Sequence, residues 1–139
     1  MSEDPHPAPH RGRAARGELA FALAGAPLAW LVQLGGGFAA MTMACFEGGE
    51  RTVWPIAGAG TAILLSLAAL GVALAAAGLA WRLYRRTRTE AEGDHAQLVE
   101  VGAGRTRFLA LWGLVLAAGF AAVILANGLA LLLVPPCAG

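Results

Sequence analysis

The stretch VWPIAGAGTAILLSLAALGVALAAAGLAW, residues 53–81, runs for 29 positions without an Asp, Glu, Lys, Arg or His. An α-helix rises 1.5 Å per residue, so about 20 apolar residues cross the ~30 Å of a bilayer's hydrocarbon. A soluble helix of this length would need a polar face, and this one has none. Two further stretches, Leu19 to Phe46 and Phe108 to Val134, are equally free of ionisable side chains. The fold class expected is all-α: an integral membrane protein with three transmembrane helices, 19–46, 53–81 and 108–134. An ionisable group at membrane depth usually marks a proton path, an ion pathway or a ligand to a cofactor. Spans without one argue against those roles.

Charge placement outside the spans predicts the orientation. The net charge is only +1, but the ten basic residues are all Arg and are unevenly spread. Arg11, Arg13 and Arg16 precede the first span, and Arg82, Arg85, Arg86, Arg88, Arg105 and Arg107 lie between the second and third. Only Arg51 falls in the first connection. By the positive-inside rule the N-terminus is cytoplasmic and the C-terminus periplasmic. Residues 1–18 then form a disordered basic cytoplasmic tail, 47–52 a periplasmic turn, 82–107 a cytoplasmic Arg-rich loop and 135–139 a periplasmic tail. The absence of Lys beside abundant Ala, Gly and Leu points to a GC-rich bacterial genome. Thr42-Met43-Ala44-Cys45 resembles a lipoprotein cleavage site, but the apolar run before it is far longer than the ~7–15 residues of a signal core, so retention of the first span is expected. His6 and His10 belong to the tail and His95 to the loop, where solvated side chains are the expectation.

Within the spans, Pro27 removes a backbone donor and predicts a kink about one turn before it. Gly35-Gly36-Gly37 follows as a contact face or hinge. In the second span Ala57, Thr61, Leu64, Ala68, Gly71, Ala75 and Gly78 recur at steps of three and four. Small-xxx-small faces let helix backbones approach in lipid, so Gly71, Ala75 and Gly78 are candidate packing residues, with Gly113, Ala117, Ala121 and Gly128 their counterparts on the third span. The stripe fits a three-helix bundle or docking on a larger partner. High Ala content alone can also generate it. Gln33 and Asn127 carry amides into hydrocarbon and are expected to bond between helices, while Thr42, Thr61 and Ser66 can bond their own helix carbonyls. Trp54, Trp81, Trp112 and Tyr84 are placed as interfacial anchors, and the arginines after Trp81 can hold anionic headgroups.

Cys45 ends the first span and Cys137 follows the third, so the deduced topology puts both at the periplasmic face. Two thiols there are expected to oxidise if their Cα atoms come within ~7 Å. Free cysteines, or a redox-active or metal-binding pair, are the alternatives. Met41, Met43 and Cys45 form an M-x-M-x-C string whose sulfurs suit Cu(I). On a helix, however, Met43 is rotated ~200° from the other two, which leaves Met41, Cys45 and Cys137 as weak metal candidates. There is no CxxC, no haem CxxCH, no P-loop and no Ser-His-Asp set. No catalytic residue and no cofactor is therefore expected, and the chain reads as a non-enzyme.

Taken together, Gly25-Ala26-Pro27-Leu28-Ala29-Trp30-Leu31-Val32-Gln33-Leu34, Cys45, Arg107-Phe108-Leu109-Ala110-Leu111-Trp112-Gly113 and the closing Pro135-Pro136-Cys137 resemble a group of small bacterial three-span inner-membrane proteins of uncharacterised role. Genes of that group often lie beside those for haem-copper terminal oxidases and cytochromes c. Where relatives carry a bulkier, tyrosine-bearing run after the Gln, this chain has Gly35-Gly36-Gly37-Phe38. The resemblance implies a respiratory-chain setting: a non-catalytic accessory or assembly protein whose partners are the bilayer and a larger complex such as a terminal oxidase, with no nucleic acid. A periplasmic-face copper or thiol helper using Cys45 and Cys137 is the second expectation.

Overall fold

A computed structural model describes residues 16–47, 50–51, 55–87, 105–134 and 137. Of the expected tail 1–18, residues 1–15 with the two histidines lie outside the described residues, whereas 16–18 are helical. Of the expected loop 82–107, residues 88–104 with His95 lie outside them, whereas 82–86 and 105–107 are helical. The Trp54 anchor also lies outside. Three helices dominate: α1 (Arg16–Cys45, 30 residues), α2 (Pro55–Arg86, 32 residues) and α3 (Arg105–Leu133, 29 residues). All three are long and apolar enough to cross a membrane. Each packs against the other two, in an up-down-up bundle. One end carries Cys45 and Cys137, the other Arg82, Arg85, Arg86 and Arg107, and they are called the cysteine end and the arginine end below.

The helix limits follow from local chemistry. Pro55 opens α2, where a missing N–H costs nothing because the first-turn donors have no helix acceptor. At the far end Thr87 closes it, its N–H donating to the Leu83 carbonyl at 3.0 Å and its hydroxyl to the same oxygen at 2.9 Å. The helix thus runs past the expected limit at Trp81, because Arg82, Leu83, Tyr84, Arg85 and Arg86 are all good or tolerable helix formers. Likewise α3 starts at Arg105, three residues before the apolar run, and α1 at Arg16. α1 is continuous through Pro27 and the three glycines. After it the chain forms a short antiparallel ribbon, β1 (Phe46–Glu47) with β2 (Glu50–Arg51), where only a turn was expected; Phe46 pairs with Arg51 and Glu47 with Glu50.

The core is built of alanine. Ala26, Ala69, Ala73, Ala76, Ala117 and Ile124 form one buried cluster, and Ala22, Ala80, Leu83 and Ala110 a second nearer the arginine end. The bulky side chains point outward instead: Leu28, Val32, Phe38, Leu64, Leu67, Leu129 and Leu133 are all more than half exposed, Phe38 at 74% and Leu133 at 81%. In water such a continuous apolar surface would drive aggregation, whereas in lipid it is the solvated face. Small residues inside and large ones outside is the arrangement that close backbone packing demands when burial of apolar surface itself gains nothing.

Candidate functional site

The inward face of α2 reads Gly58, Ala62, Ser66, Ala69, Ala73, Ala76, Ala80 and Leu83, all buried. It is not the face expected from the sequence. Gly71, Ala75 and Gly78 are exposed, as are Thr61, Leu64 and Ala68, and a Cβ added at Gly71 or Gly78 would meet no atom within 4 Å. Within the bundle the helix is turned by one to two positions, roughly 100–200° at 100° per residue. Both faces are small, so size cannot choose between them. Two contacts favour the face that is used. One is at Gly58, where an added Cβ would lie 2.5 Å from the Ala44 Cβ and 2.9 Å from the Ala40 carbonyl oxygen, so α1 and α2 touch there at backbone distance. The other is Ser66. On α3, by contrast, Gly113 and Ala117 are buried and Ala121 packs against the core, with the Gly113 Cα facing the Ala22 carbonyl.

Ser66 belongs to a polar node in the middle of the bundle. Gln33 on α1, only 4% exposed, donates from Nε2 to Ser66 Oγ on α2 at 3.0 Å and to the Ile124 carbonyl on α3 at 3.2 Å. Ser66 in turn donates to the Ala62 carbonyl at 2.9 Å. One amide therefore links all three helices. Gln33 Oε1 and the indole Nε1 of Trp30, one turn earlier, are buried without a hydrogen-bond partner. The Trp30 ring lies against Phe120 of α3, centroids 5.4 Å apart. Asn127, half-buried on α3, takes no part in this node. Thr42 donates back to the Phe38 carbonyl at 2.8 Å, the local bond open to a hydroxyl in a helix.

At the cysteine end the Cys45 and Cys137 sulfurs are at bonding distance, with Cα atoms 5.5 Å apart across a sequence separation of 92. Cys45 is buried, and Cys137 sits in the left-handed region at φ 62°. That backbone conformation costs an L-residue roughly 1–2 kcal/mol. Bonded sulfurs have no thiolate to give a metal. Met43 is 73% exposed and Met41 half-buried. Among the described residues no cluster of three or more His, Cys, Asp or Glu could hold a metal ion.

The arginine end is aromatic as well as basic. Trp81 and Trp112 are half-exposed, Trp81 stacks on Tyr84 at 6.1 Å, and Phe108 meets Trp112 edge-on at 6.2 Å. The Arg107 guanidinium lies 5.6 Å from the Tyr84 ring centre. Amphipathic rings beside exposed Arg82, Arg85 and Arg86 are what a headgroup layer accommodates. Sequence reading missed the Trp30–Phe120 packing and the Gly58 contact; a Trp inside a span rather than at its end, and a glycine near a helix start, were the available signals. No protein-family model matches the chain, and no curated relative or solved structure is detectably similar to it.

Proposed function

We propose that this chain is a non-catalytic accessory or assembly protein of the bacterial inner membrane, docking within the bilayer on a larger respiratory complex such as a terminal oxidase. The observation that carries the reading is the outward face of α2 beyond the exposed Leu64: Ala68, Gly71, Ala75 and Gly78 form a small-residue stripe that the bundle itself leaves uncovered. A neighbouring helix can approach such a face to backbone distance, which a leucine-studded face prevents. The three spans hold no ionisable side chain that could do chemistry alone, and the respiratory setting rests on the resemblance described above. In this reading the N-terminus and arginine end face the cytoplasm, and the cysteine end faces the periplasm, where the disulfide is stable.

The test is purification of the tagged protein in a mild detergent with mass spectrometry of what comes with it. Oxidase subunits at fixed stoichiometry, lost from Gly71→Leu and Gly78→Leu proteins that remain folded, are the expected result. Wild-type protein that comes alone, or variants that keep the same partners, would remove the reading. A periplasm-dependent reporter should be active at the C-terminus and silent in the loop between α2 and α3; the reverse pattern overturns the orientation. Copper retained in stoichiometric amount by wild type and lost from Cys45→Ser would favour a copper helper instead.

A further inference from the structure

The Gln33 node leaves two complementary groups unmatched, and their identities are fixed by the atoms around them. The Ile124 carbonyl can only accept, so the Gln33 atom 3.2 Å from it is the amide nitrogen. Ser66 spends its single proton on the Ala62 carbonyl, so its oxygen accepts the second Gln33 N–H. Both amide protons are thereby used, and Oε1 remains as an acceptor in need of a donor. The indole of Trp30 has a proton and nothing else to offer. Its Nε1 is the other buried side-chain polar atom without a partner among the described residues. Trp30 and Gln33 are three residues apart on α1, so the donor and the acceptor rise from the same helix face one turn apart. Lipid supplies no water from outside to either group.

We propose that a single water molecule is a built component of the bundle core, accepting the Trp30 Nε1–H and donating one of its protons to Gln33 Oε1. Water is the smallest species that accepts and donates at once, and buried waters are held where two or more polar groups converge. With it, Trp30 joins the node. A continuous hydrogen-bonded chain then runs from the indole through water, Gln33 and Ser66 to the Ala62 carbonyl, with a branch to Ile124, and all three helices contribute to it. Gln33 acts in this site as a ligand to water through oxygen and as a clamp between helices through nitrogen.

Solution NMR of the intact nitrogen-15-labelled protein in lipid bicelles tests this. The Trp30 indole resonance is identified by its loss in Trp30→Phe. A cross-peak from that indole proton to the water frequency, with the sign of a long-lived direct contact rather than of chemical exchange, is expected in wild type. In Gln33→Met, which keeps the length and removes the acceptor, the cross-peak should disappear and the indole proton should move upfield. Absence of the wild-type cross-peak, or a through-bond correlation from the indole proton to the Gln33 side-chain carbonyl, would replace the water by a direct bond and overturn the proposal. A cross-peak unchanged in Gln33→Met would also overturn it, since the water would then owe nothing to Gln33. If Gln33→Met does not fold, the wild-type spectrum decides alone.

Discussion

Gly58 and Gly71 are the same residue on the same helix with opposite surroundings. An alanine methyl at Gly58 would be driven into the Ala44 methyl and the Ala40 carbonyl, whereas at Gly71 it would meet nothing within 4 Å. Gly58→Ala should therefore destabilise the bundle by about 1–3 kcal/mol, the usual range for overpacking. Gly71→Ala should be neutral, or stabilising by up to about 0.5–1 kcal/mol through backbone entropy. Unfolding of the two variants in mixed micelles gives the comparison, and equal effects would mean that α1 and α2 are further apart than described. Gln33→Leu removes two interhelical bonds, each worth about 0.6 kcal/mol in membrane proteins. A loss of about 1–2 kcal/mol is expected in the same assay. Asn127→Leu, outside the node, should lose less.

At the scale of the element, α2 presents two small faces and the bundle uses one. Ala73→Leu or Ala76→Leu places a bulky chain in the alanine core and should weaken the monomer itself, visible as faster proteolysis and a lower midpoint of unfolding. Gly78→Leu on the opposite face should leave the monomer's midpoint within about 0.5 kcal/mol of wild type, the range of exposed substitutions. If both classes of variant shift the midpoint equally, the helix has no preferred inward face. The spans were legible from sequence because bilayer thickness imposes a length and a composition that few soluble segments meet. The rotation of α2 was not, since with Ala or Gly on both sides the choice depends on Gly58 meeting Ala44 and Ser66 meeting Gln33, contacts made by residues from another helix. Gln33 itself was legible as an amide in hydrocarbon, but its partners were not. The ribbon Phe46–Glu47 with Glu50–Arg51 lies below the length at which alternation can be read.

At the scale of the molecule, the pairing of Cys45 with Cys137 was foreseeable because two residues at the same end of different spans share a depth; only the fold brings their Cα atoms to 5.5 Å. Cys45→Ser should lower stability by about 2–4 kcal/mol, and wild-type protein treated with reductant should lose a similar amount. A variant as stable as wild type would show that packing alone holds the cysteine end together. The same bond decides how the chain carries load. Residues 45 and 137 are joined, so a pull applied to the two ends of the polypeptide runs along α1, crosses at the sulfurs and leaves by the last residues, with α2 and α3 outside the line of tension. Single-molecule extraction from a bilayer by the termini should release the length of α1 alone, and the remaining two helices should yield only after reductant is added.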